Sequence, residues 1–236
     1  MDGQFDRRSM LALAATGAVS AALTACGSRT KHDIKAATAT PVTPQRSFGR
    51  LSKTLMIIRH AEKPTGTGAP YGVTQAGVRD AGSLTVRGWM RAGALVDLFN
   101  PRGSDGTPAP LRQGISRPAV VFAAKPDSNG SSRPQETVTP LAAALNLQVD
   151  TRLAKGQEAD LVAALQDAPG PFLVSWEYER IGAIITNLGP VDPTPPESWP
   201  ADCFDMVYVF SRNANGWAFT QVPQMLLAGD SPTPIT

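Results

Sequence analysis

Leu55-Met56-Ile57-Ile58 is an uninterrupted apolar run, answered further along by Ala119-Val120-Val121-Phe122 and Phe172-Leu173-Val174-Ser175. Runs without in/out alternation fit strands buried on both faces. Between them the apolar period becomes helical. Residues 86–99 place Trp89, Ala92, Val96 and Phe99 on one face behind Thr85, a suitable N-cap. Val138, Leu141, Ala142 and Leu145 keep the same spacing, as do Ile181, Ile184, Ile185 and Leu188, and a short helix fits 158–167. Leu147-Gln148-Val149 reads as a short strand. Met206–Phe210 and Trp217–Val222 read as strands joined across Asn213-Ala214-Asn215-Gly216, a hairpin signal. Residues 64–83, 101–117 and the proline-rich 190–200 read as loops. Strands alternating with helices predict an α/β fold in three layers, with a mainly parallel sheet covered on both faces.

Composition narrows the function. The chain has 236 residues, and 22 Lys and Arg against 20 Asp and Glu leave a net charge of +2. So small a surplus argues against a nucleic-acid partner. Two cysteines with no CxxC pair exclude a thiolate zinc site and a disulfide scaffold. The only histidines are His32 and His60.

At the N-terminus, Arg7-Arg8 precede an uncharged stretch over 10–25, shorter than the ~20 residues of a membrane span. This pattern reads as a signal peptide. Its end, Leu23-Thr24-Ala25-Cys26-Gly27, resembles a bacterial lipoprotein lipobox, and the twin arginines resemble a twin-arginine export signal. The resemblance makes Cys26 the lipidation site and places the protein in the bacterial cell envelope, membrane-anchored through its lipid after Sec or twin-arginine export. The expected organisation is a leader over 1–25, a flexible tether over 26–50 that includes His32, and one domain over 51–236.

In a parallel α/β sheet ligands bind beyond the carboxyl ends of the strands. Three such places stand out. Arg59-His60-Ala61-Glu62-Lys63 follows the first strand directly. After the second comes Ser131-Ser132-Arg133-Pro134-Gln135, where Ser132 and Gln135 read as a capping box and Pro134 as first-turn proline. That puts Arg133 at a helix N-terminus, where free amides and the dipole already favour an anion. Trp176-Glu177-Tyr178-Glu179-Arg180 follows the fourth strand, with acidic residues suited to a first helical turn. Cys203 reads as packed rather than reactive.

Together these segments resemble the histidine phosphatase superfamily, the phosphoglycerate mutase-like fold, over about residues 54–222. The motifs are Ile57-Ile58-Arg59-His60-Ala61-Glu62-Lys63-Pro64, Leu84-Thr85-Val86-Arg87-Gly88-Trp89-Met90-Arg91-Ala92 and Ser132-Arg133-Pro134-Gln135-Glu136-Thr137. They match, in order, the family's strand-end R-H, its L-T-x-x-G helix and its phosphate loop. The resemblance implies a phosphatase acting on a phosphate monoester, with His60 as the nucleophile that becomes a phosphohistidine. Arg59 and Arg133 would hold the phosphoryl oxygens. No metal or other cofactor is implied, because arginines and imidazole supply the positive charge. The partner would be a phosphorylated small molecule or a phosphoprotein. One departure stands out: the family's second histidine falls on Tyr178, which offers the phosphate a single neutral donor and predicts slowed turnover. Glu179 and Glu62 are the candidate general acids, and the sequence leaves both open. A non-catalytic, phosphate-recognising lipoprotein on the same fold is the second reading.

Overall fold

A computed structural model gives the structure of the chain and describes residues 53–126 and 131–236. The leader, Cys26, the tether and His32 lie outside the described residues. Among the described residues, seven strands form one sheet: β1 (Thr54–Arg59), β2 (Val120–Ala123), β3 (Val149–Asp150), β4 (Phe172–Trp176), β5 (Val191–Asp192), β6 (Met206–Asn213) and β7 (Gly216–Pro223). Their order is β3-β2-β4-β1-β6-β7-β5. The half from β3 to β1 is parallel, while β6 runs antiparallel to both β1 and β7.

Residues of β1 alternate between two cores, as the pleat requires. Leu55 and Ile57 pack with Leu161, Leu165, Ile181 and Ile184 of α3 (Glu158–Asp167) and α4 (Tyr178–Leu188). Met56 and Ile58 pack with Leu95, Phe99, Val138 and Leu141 of α1 (Val86–Phe99) and α2 (Arg133–Leu145). The three-layer α/β arrangement with a mainly parallel sheet is therefore observed. All six residues of β1 are buried, which is why its sequence shows no alternation.

Several boundaries differ from the sequence expectation. The Leu147–Val149 strand is instead Val149–Asp150. Asn146 ends α2 in the left-handed region at φ 54°, and the Leu147 amide bonds back to the Ala142 carbonyl, so the helix end claims these residues. The 190–200 loop contains a two-residue strand, β5, paired with Trp217 and Ala218. The buried face of α1 is turned from the expected stripe: Gly88, Arg91, Ala92, Leu95 and Phe99 face inward, with Trp89 and Val96 at its edge. Thr85 does cap α1, accepting a hydrogen bond from the Gly88 amide at 3.2 Å. The capping box on α2 is not formed. Ser132 adopts a helical φ/ψ of −96°/−1°, which keeps its hydroxyl from the capping geometry.

Candidate active site

The parallel pairing of β1 with β4 sets Arg59 opposite Trp176, and the His60 amide donates to the Trp176 carbonyl at 3.1 Å. The next residues of the two strands, His60 and Glu177, are thereby neighbours. His60 is fully buried. Its Nδ1 lies 2.8 Å from the Ala61 carbonyl, and a carbonyl only accepts, so Nδ1 carries a hydrogen. Its Nε2 lies 3.3 Å from Glu177 Oε2. The Ala61 amide donates to Thr137 Oγ1 at 2.8 Å, and that hydroxyl donates to the Arg133 carbonyl at 2.7 Å. One threonine thus ties the histidine turn to the start of α2.

Arg59 is 1% exposed. Its Nη1 donates to the carbonyls of Ala201 at 2.6 Å and of Pro200 and Cys203 at 3.3 Å. Phe204 and Tyr178 cover the guanidinium with their rings, at 3.9 and 4.3 Å. Burial pushes its pKa down to about 10, so it stays charged at neutral pH. Nε and Nη2 of Arg59 and Nε of Arg133 are buried with no protein partner. Buried donors of this kind suit an oxyanion.

Glu177 is the electrostatic centre of the group. Burial alone would raise its pKa, but His60, Arg133 and Lys155 outweigh burial and hold it at about 2. Arg59 is close enough to feel the same carboxylate. The structure thus brings His60, Arg59, Arg133 and Tyr178 together around a residue that the sequence reading passed over as a helix-start acid. The available signal was positional: Glu177 and His60 each directly follow a strand, and adjacency of those strands makes them face each other.

The remaining candidates sit elsewhere. Glu62 is committed to arginines, 2.9 Å from Arg91 Nη2 and 3.2 Å from Arg87 Nε. Glu179 is exposed at the start of α4 and lines a surface groove with Pro196, Glu197 and Trp199. Arg180 pairs with Glu158 at 2.8 Å rather than with either. Tyr178 meets the site through its ring face. Burial first and a hydrogen bond with Glu179 second raise the pKa of its hydroxyl. Cys203 is partly buried, and burial followed by Asp205 pushes its thiol up to about 11, so it is protonated at neutral pH.

The other motif residues build the scaffold. Glu136 accepts from Ser83 Oγ at 2.7 Å and from the Leu84 amide at 2.9 Å, fastening α2 to the start of α1. Gly88 sits where the backbone of Glu62 passes: a Cβ there would lie 2.5 Å from the Glu62 carbonyl oxygen. Among the described residues, no group of three or more His, Cys, Asp or Glu side chains could hold a metal ion.

No family model and no curated protein matches the chain. Solved structures do. Mycobacterial hydrolase 1 is 15% identical at a TM-score of 0.42, covering 72% of this chain and 96% of its own. SixA from Agrobacterium tumefaciens, a phosphohistidine phosphatase by name, is 14% identical at 0.41, covering 72% of this chain and 95% of its own. An alpha-ribazole-5'-P phosphatase, so named, from Escherichia coli str. K-12 substr. MG1655 is 15% identical at 0.39, covering 73% and 95%. At such identities the chemistry rests on this chain's own residues.

Proposed function

We propose that the protein is a phosphohydrolase that acts on phosphate monoesters through a phosphohistidine at His60. One observation carries this reading: a buried imidazole, fixed through Nδ1 to a backbone carbonyl, turns Nε2 to an anionic group beside two guanidinium side chains. Fixing Nδ1 leaves Nε2 as the nitrogen that meets phosphorus. The open N–H groups of Arg59 and Arg133 would take the phosphoryl oxygens, where preorganised donors do most of the work of phosphoryl transfer. Arg59 is held by three carbonyls and two rings, so little reorganisation accompanies binding.

The substrate class is a phosphorylated small molecule or phosphoprotein. The first 50 residues add an envelope location, with Cys26 as lipid acceptor. Replacing Cys26 with Ser should then move the protein out of the membrane fraction, and unchanged fractionation would remove the anchor from the reading.

The test of activity is phosphate release from phenyl phosphate by the full chain. The native protein should turn over and His60→Ala should not. An acid-labile phosphoryl group should be trapped on the native chain alone. One observation favours a second reading, phosphate recognition without turnover: Tyr178 covers Arg59 with its ring, and His60 is the only histidine among the described residues. Phosphate binding by a native chain that releases none from the ester would select that reading.

A further inference from the structure

The 3.3 Å approach of Glu177 Oε2 to His60 Nε2 puts a carboxylate where phosphorus must come. Both cannot occupy that place, and both are anions drawn to the same guanidinium groups. Glu177 therefore meets the incoming phosphate directly, which neither Glu62 nor Glu179 does. Glu62 is spent on Arg87 and Arg91, and Glu179 lies exposed on the groove side of α4. Among the described residues, no other carboxylate is paired with the imidazole.

We propose that Glu177 is the proton carrier of the reaction, taking the Nε2 proton of His60 as a phosphate monoester dianion enters and giving it to the departing ester oxygen. The proposal rests on the phosphohydrolase reading above. Nδ1 carries one hydrogen toward Ala61, and a hydrogen on Nε2 would point at Glu177 Oε2, 3.3 Å away. With that hydrogen in place Nε2 has no lone pair for phosphorus. A dianion arriving beside Glu177 disfavours the carboxylate charge, because like charges raise a carboxyl pKa. The proton then moves from Nε2 to Glu177. This single transfer creates both the neutral nucleophile and the protonated acid. Arg133, Lys155 and Arg59 are the cations whose charge reaches Glu177, and the same charges favour the phosphate.

The steps balance. The Nε2 lone pair forms the N–P bond while the P–O ester bond breaks, and the ester oxygen leaves with that electron pair and the Glu177 proton. Glu177, again a carboxylate, takes a proton from water as the water oxygen attacks phosphorus. The N–P electron pair returns to Nε2, inorganic phosphate departs, and Glu177 returns its proton to Nε2.

The experiment compares kcat/KM for two esters with the native full chain, Glu177→Gln and Glu177→Asp. This ratio reports the first displacement. Phenyl phosphate releases a phenol with a pKa of about 10, like tyrosine, and needs the proton. 2,4-Dinitrophenyl phosphate releases a far more acidic phenol and does not. Glu177→Gln should lower kcat/KM for phenyl phosphate by about 10²–10³, within the range for acid–base groups, and for the dinitrophenyl ester by less than about tenfold. Glu177→Asp should recover part of the loss on phenyl phosphate. Equal losses on both esters, or no recovery with Asp in a chain of native melting temperature, would overturn the assignment and leave the phosphohydrolase reading intact. A native chain inactive on both esters would overturn both.

Discussion

Arg59 shows how one residue is made into a fixed feature. An exposed arginine has many rotamers, and ordering it opposes binding. Here Nη1 is tied to three carbonyls and the guanidinium lies against the Tyr178 and Phe204 rings. A cation over an aromatic face contributes roughly 0.5–2 kcal/mol, more when desolvated. On this basis Tyr178→Ala should weaken binding of inorganic phosphate by about three- to thirtyfold, read by titration calorimetry. Tyr178→Phe keeps the ring and should bind within about twofold of the native chain. If Phe binds as weakly as Ala, the hydroxyl is the working part. Arg59, His60, Arg133 and Tyr178 were all legible in the sequence, because each stands at a strand end or helix start. The grip on Arg59 was not legible: it comes from backbone carbonyls, which any residue could supply.

Among the elements, α1 approaches the histidine turn more closely than any side chain would permit. The Cβ added by Gly88→Ala would fall 2.5 Å from the Glu62 carbonyl oxygen and 3.0 Å from the Leu84 Cβ. Either α1 or the turn must move. We expect Gly88→Ala to destabilise the fold by about 1–3 kcal/mol, as overpacking does, despite the better helix propensity of alanine. Chemical denaturation checks this; an unchanged midpoint would show that the contact yields freely. Helices α1 to α4 and the buried strands were legible because each long element buries a continuous face. Their ends were less so. Ser132 and Gln135 spell a capping box, yet Glu136 reaches across to Ser83 and Leu84. Tertiary partners there outweigh a local motif, and the sequence carries no mark of the partner.

At the scale of the molecule, buried carboxylates paired with arginines bind distant segments together. Asp230, near the C-terminus, lies 2.8 Å from Arg91 of α1, which also holds Glu62. Burial alone would raise the Asp230 pKa, but Arg91 and the amides of Leu227 and Leu226 hold it at about 2. Glu158 is likewise held at about 2: burial would raise it, but Arg180, the Gly156 amide and the Trp176 indole prevail. A carboxyl depressed on folding adds stability above its unfolded pKa of about 4, and loses it as pH falls toward the folded value. Each of these two should contribute on the order of 2 kcal/mol at neutral pH. The melting temperature should therefore stay level above about pH 5 and fall steeply between pH 4 and 2. Arg91→Met should weaken that fall, and an acid limb unchanged by the substitution would place the coupling elsewhere. The antiparallel course of β6 carries a consequence in time. Because β6 runs against β1, the loop leading into it reaches the edge where the parallel strands finish. Ala201, which grips Arg59, comes 142 residues later in the chain. A chain made N-terminus first therefore carries His60 and Arg133 long before the carbonyls that fix Arg59 exist. Contacts so distant in sequence carry a large loop-closure cost. The grip on Arg59 thus waits until the chain through Cys203 exists, and a nascent chain keeps its arginine ungripped until synthesis is nearly over.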